Sequence, residues 1–229
     1  MKYAFIKYFK VWWVPIISNI VPAIIFFVGL GLKRDSIIDV SLIAFYINIL
    51  GTLTSSIVQL FIERWYFVIP QIGITIFFFY YVAMIFTLSS PDFYGAHLTI
   101  PEGVEIHEPI QKPLMEKDFL NTNLVVAAYS QPGMYTYFTN FKPQVPGTFY
   151  IKAYEISAND RLSEERMKKQ SQVKVGKNPK NIAEGEFTIY EGSWGDPYGA
   201  RIELWFEPWN SSEEYKVAER NYVVEGWMR

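Results

Sequence analysis

Three long apolar stretches, at residues 12–32, 37–62 and 67–88, lead the chain, and a longer region of alternating apolar and polar positions follows them. The first stretch (WWVPIISNIVPAIIFFVGLGL) has 21 residues and no charge. The second has 26 with a single acid, Asp39, near its start, and the third has 22 with none. A bilayer core needs about 20 apolar residues of helix, so each stretch predicts a transmembrane helix. Buried helices of a large soluble core are the competing reading, and it fits poorly with three such stretches joined by links of a few residues. The first stretch is too long for the apolar region of a signal peptide and no small-residue cleavage site follows it, so it is expected to be retained.

The links refine this picture. Lys33, Arg34, Asp35 and Ser36 join the first two spans, and Ser36 with Asp39 three residues on predicts a capping box with an acid at the positive helix end. Glu63, Arg64, Trp65 and Tyr66 join the second and third. Two hairpin connections put Trp12, Trp13, Trp65 and Tyr66 on one membrane face, as an interfacial aromatic belt requires. That face also carries Lys2, Lys7, Lys10 and Arg64, against Lys33 and Arg34 on the other, and 89–111 holds no Lys or Arg. The excess of basic residues predicts a cytoplasmic N-terminus and an exported C-terminal domain.

Beyond the spans the period changes to two. Phe149, Ile151 and Ala153 alternate with Tyr150, Lys152 and Tyr154. Tyr198, Ala200, Ile202, Leu204 and Phe206 alternate with Gly199, Arg201, Glu203, Trp205 and Glu207, and Tyr222 and Val224 alternate with Asn221, Val223, Glu225 and Trp227. Such runs predict strands with one face in a core. Weaker strands are expected at 124–129, 134–138 and 187–190, with turns at Gln131-Pro132-Gly133, Pro146-Gly147, 192–197 and 208–212. One helix is expected over about 161–170, with Glu164 and Glu165 early and Lys168 and Lys169 late. Residues 89–122, with Pro91, Pro101, Pro109 and Pro113, read as a Pro-rich connector with a possible leading strand at 97–108. The fold class expected is therefore three N-terminal transmembrane α-helices (1–88), this connector, and an all-β, antiparallel sandwich- or barrel-like soluble domain with one short helix (123–229).

Composition narrows the chemistry. Residues 89–229 hold 15 Lys+Arg against 20 Asp+Glu, a net of −5 with no basic stripe, which disfavours nucleic acid as a partner. The chain has no cysteine, which excludes disulfides, thiolate zinc sites and a Cys nucleophile. His107 lies between Glu105 and Glu108, but that spacing matches no compact metal site and reads as a solvated acidic loop. No G-x-S-x-G elbow, Walker loop or Rossmann loop is present, so no catalytic residue and no cofactor is assigned. Paired carboxylates of a glycosidase type remain arithmetically open. Asn210-Ser211-Ser212 fits a glycosylation sequon, a common tripeptide.

Polar residues inside the spans, among them Ser18, Asn19, Asn48, Thr52, Ser55, Ser56, Gln59 and Gln71, invite a transport reading. Gly51, Ser55 and Gln59 recur every four residues and share one helix face, which favours close helix packing. A conduction path normally shows ionisable groups at mid-depth, and these spans have none.

The aromatic residues near the C-terminus carry the sharpest expectation. Trp194, Tyr198, Trp205, Trp209 and Trp227 crowd the last 40 residues beside Arg201, Glu203, Arg220 and Glu225. With Trp205, Arg201 and Glu203 on the outward face of one strand and Trp227 and Glu225 on that of another, they make a candidate platform for a sugar or a peptide; Trp194 and Trp209 flank it. The plainer alternative is that these indoles close the core. The expectation is a multi-pass protein of a bacterial-type cytoplasmic membrane, in contact with the lipid bilayer. Its exported domain binds another membrane or envelope protein, or a glycan, as a non-enzymatic subunit of a membrane complex. An envelope-polymer hydrolase and an accessory transporter or channel subunit are the alternatives.

Overall fold

The computed structural model describes residues 8–62, 65–88, 92–111, 114–210 and 213–227. Lys2, Lys7, Glu63, Arg64, Pro91, Pro113, Ser211 and Ser212, which the sequence reading uses, lie outside them. The chain forms two compact units, one ending at Pro91 and one starting at Asp92.

The first unit is helical: α1 (Val14–Ser18), α2 (Ile20–Leu32), α3 (Asp35–Phe61) and α4 (Val68–Leu88). By length and composition, three helices can cross a membrane: Val14–Leu32, Asp35–Phe61 and Trp65–Ile85. Burial in this unit is inverted. Phe27 and Ile69 are about 68% and 69% exposed, whereas Thr52, Ser55, Gln59 and Gln71 are fully buried. Lipid provides no hydrophobic drive between helices, so small and polar side chains make the interior and apolar ones face outward.

The first span breaks at Asn19. Pro22 lacks the N–H that would bond back to residue 18, and nearby side chains tie the segment instead. Ser18 Oγ donates to Pro15 O (2.7 Å), and Asn48 Nδ2 on α3 donates to the same carbonyl (2.9 Å). Asn48 Oδ1 accepts from Tyr8 OH (2.5 Å) and lies beside Ser18 Oγ. Ser41 Oγ donates to Pro22 O (2.7 Å), and Ser56 Oγ donates to Gln71 Oε1 (3.0 Å), joining α3 to α2 and α4. The α2–α3 turn passes through Lys33 in the left-handed region, and α3 starts at Asp35 with Arg34 as N-cap. The Ser36–Asp39 capping box therefore does not form: the helix begins two residues earlier, Ser36 is already inside it, and Asp35 is the first-turn acid. At about 1.5 Å per residue, the 27 residues of α3 are longer than a ~30 Å hydrocarbon core.

The second unit holds β1 (Val125–Ala128), β2 (Met134–Thr139), β3 (Gly147–Glu155), β4 (Arg161–Leu162), α5 (Glu164–Gln170), β5 (Val173–Val175), β6 (Ala183–Thr188), β7 (Tyr198–Pro208) and β8 (Tyr215–Val224). All strand pairs are antiparallel. One sheet has the order β4-β3-β7-β8 with β5 also on β3, and the other has the order β1-β2-β6. Phe149, Ile151, Ile202, Leu204 and Phe206 meet Leu124, Val126, Tyr137, Phe187 and Ile189 in one core, with Met167 of α5. The alternation read along β3 and β7 thus points the expected residues inward.

Boundaries differ in three places. The helix starts at Glu164 rather than 161, because Arg161 and Leu162 pair with Tyr154 and Ala153. The last strand spans Tyr215–Val224 rather than 221–227, its first half being an exposed edge with no two-fold apolar pattern. The weak strand at 187–190 lies at Ala183–Thr188. Residues 92–111, read as connector, lie along the β unit. Asp92 accepts from Gly192 N (2.9 Å), and Tyr94 packs edge-on against Tyr198, centroids 5.5 Å apart. In place of a leading strand at 97–108 there are isolated parallel bridges, His107 with Tyr222 and Ile110 with Ala127, which stitch the open edge of β8 to that of β1.

Candidate functional site

The strand phase expected for β7 holds, and it has an unexpected consequence. Arg201, Glu203 and Trp205 do share the face opposite the core, but that face is closed upon itself. Glu203 is only 5% exposed. It accepts from Trp205 Nε1 (2.9 Å), Arg201 Nε (3.2 Å) and Lys216 Nζ (3.3 Å). Lys152 Nζ lies 3.5 Å from the centroid of the Trp205 ring and donates to Glu214 (2.6 Å). Glu214 also accepts from Tyr150 OH and from Lys168 Nζ (3.2 Å). Burial raises the Glu214 pKa, but these donors outweigh it and hold the carboxyl down at about 2. Charge and aromatic rings here satisfy one another.

The other platform residues lie elsewhere. Trp209, exposed, follows the Pro208 end of β7, its Nε1 donating to Thr148 Oγ1 (3.0 Å). Trp194, Glu225 and Trp227 belong to the opposite end of that sheet. Glu225 Oε2 accepts from Gly195 N (3.1 Å), beside exposed Trp194. Trp227 stands edge-on to Tyr190 (5.8 Å) and donates through Nε1 to Gln131 Oε1 (3.2 Å). The backbones meet there closely: a Cβ on Gly133, whose φ is +84°, would lie 2.2 Å from Trp227 N.

That end opens into a groove of about 430 Å³ where the two sheets part. Its walls come from the 108–111 segment (Glu108, Pro109, Gln111), the β1–β2 turn (Tyr129, Gln131, Pro132) and the end of β8 (Val223, Val224, Glu225), with Pro197. Tyr135 spans the seam: its hydroxyl accepts from Glu225 N (2.8 Å) and donates to Glu225 O (3.4 Å). Burial pushes its pKa up to about 12, and the Glu225 and Glu108 charges add to the rise. Tyr129 is half exposed, and with Met134 and Tyr135 it also borders a smaller depression of about 240 Å³.

His107 takes part in the seam rather than in a solvated loop. Its N–H donates to Asn221 O (3.0 Å), its Nδ1 lies 3.2 Å from Arg220 and its Nε2 3.3 Å from Glu105. Burial and the Arg220 charge lower its pKa, against the opposing pull of Glu105. Among the described residues no group of three or more His, Asp or Glu side chains is arranged to hold a metal ion. Of the groove residues, Glu225 and Glu108 were singled out in the sequence. Gln131 and Pro132 were read only as a turn and Pro109 only as part of the connector; Tyr129, Tyr135 and Gln111 were not singled out, and their only signal is a pair of tyrosines flanking that Pro-Gly turn.

No family model matches this sequence, no curated protein matches it, and no solved structure matches its fold.

Proposed function

We propose that the protein is a membrane-anchored, non-enzymatic binding subunit. In this reading its helices sit in the cytoplasmic membrane with the N-terminus inside, and its β unit stands outside and holds a segment of another envelope protein. The observation that carries the reading is the groove at the sheet seam. Aromatic, carboxamide and carboxylate side chains converge there on a base of Pro, Val and Met, the mixture found at protein interfaces and ligand clefts. The helix unit fits an anchoring part: Ser41, Asn48 and Ser56 bond between helices, the buried atoms Asn19 Oδ1, Gln59 Oε1 and Gln71 Nε2 that lack a partner are carboxamides, and the buried polar residues of these helices are uncharged, which favours assembly over conduction.

The test is purification of the intact protein in mild detergent, wild type beside Tyr129→Ala/Gln131→Ala. The wild type is expected to elute with one protein at fixed stoichiometry, and the variant, melting at nearly the same temperature, to elute without it. A wild type that elutes alone, or a variant that retains the same protein, contradicts the reading.

A further inference from the structure

We infer that the groove is a receptor for a cationic segment of polypeptide, one that places a Lys or Arg side chain between Glu108 and Glu225. This deepens the binding reading above and rests on it.

The charges in the groove are one-sided. Glu108 and Glu225 line it, and no Lys or Arg among the described residues does so. Glu225 accepts from the Gly195 amide, and Glu108 is exposed. Several carboxylates elsewhere in this unit are ion-paired, while Glu155 and Glu191 are met by backbone N–H and serine hydroxyl donors. Glu203 faces Arg201 and Lys216, Glu214 faces Lys152 and Lys168, and Glu164 faces Arg161. Glu108 also borders a separate depression, lined by Arg220 and Lys117, where Arg220 is turned to His107.

The rest of the lining suits the same ligand. The half-exposed Tyr129 ring offers a face on which an ammonium or guanidinium can rest. Gln111 supplies a carboxamide for the N–H groups that a carboxylate leaves unfilled, and Pro109, Pro132 and Pro197 give rigid walls for the aliphatic stem. An anionic segment meets two carboxylates and no donor of charge, so discrimination by sign is built in.

The experiment is calorimetric titration of the full chain, in non-ionic detergent at low salt, with acetyl-Gly-Arg-Gly-Arg-Gly-amide and with its Glu counterpart. The Arg peptide is expected to bind, the Glu peptide not to, and the affinity to fall as salt rises. Glu225→Gln and Glu108→Gln are each expected to weaken binding about tenfold, the loss of one charge-assisted bond. Glu102→Gln, outside the groove, should leave it unchanged. Equal binding of both peptides, or equal loss with Glu102→Gln, overturns the proposal in favour of diffuse attraction. Binding of neither peptide by a protein that still forms the Tyr129-dependent complex also overturns it, leaving the binding reading intact with a neutral or glycan ligand. Loss of that complex's dependence on Tyr129 removes the reading itself.

Discussion

Glu214 is the residue whose ionisation the fold uses most. Its folded pKa of about 2 lies below the ordinary 4.5, so its bonds to Lys152, Tyr150 and Lys168 contribute fully above pH 4.5 and are lost as pH falls toward 2. Melting temperatures of the wild type and Glu214→Gln are expected to differ above pH 4.5 and to converge near pH 2. A constant gap across that range contradicts the assignment. Trp205 makes a related case. A free platform indole can be truncated at little cost, and a core tryptophan costs about 3 to 5 kcal/mol. Trp205 lies between these limits, because its ring rests on Lys152 and its N–H satisfies buried Glu203. Denaturant unfolding of Trp205→Ala is expected to show a loss of about 1 to 2 kcal/mol, the cost of uncovering part of a buried carboxylate. The phase of Trp205 was legible in the sequence. Its partners were not, since Lys152 comes from the neighbouring strand and Lys216 from the next.

At the scale of elements, legibility followed periodicity. β3 and β7 alternate apolar and polar residues in sequence, and the apolar residues that the pattern names, Phe149, Ile151, Ala153, Ile202, Leu204 and Phe206, lie in the core. The first half of β8 is an edge with Lys216 and Glu219 exposed and no alternation of apolar and polar positions, so nothing marks it as strand. Residues 92–111 anchor through isolated contacts, Tyr94 here and His107 there, that have no period at all. The groove draws its walls from four separate segments, and no local pattern signals it. The turn beside it depends on glycine for two distinct reasons, and they can be separated. Gly133 and Gly103 both have positive φ, +84° and +81°, but only Gly133 would press a Cβ into neighbouring backbone. Gly103→Ala is expected to cost about 1 to 2 kcal/mol, the penalty of the left-handed region alone. Gly133→Ala should cost clearly more and should displace Trp227, read from unfolding and from tryptophan fluorescence. Equal costs would mean that the close approach of the two loops contributes nothing.

For the whole molecule, the apolar stretches and their short links were the strongest signal in the chain. The structure adds an independent sign, the burial of hydroxyl and amide side chains beneath exposed Leu, Ile and Phe. The proposed topology has a consequence of parity: three crossings would put the α2–α3 turn and the β unit on one side of the membrane and residues 62–67 on the other. The chain contains no cysteine, so single cysteines report without background. The most direct measurement is labelling of intact cells by a membrane-impermeant maleimide at Arg34→Cys, Trp65→Cys and Leu120→Cys, the last an exposed position of the β unit. Labelling at 34 and 120, with 65 protected until the membrane is opened, is the result expected of an exported β unit on a three-helix anchor. Labelling at 65 alone would reverse the orientation and remove the envelope partner, and equal labelling at all three would contradict the membrane anchor itself.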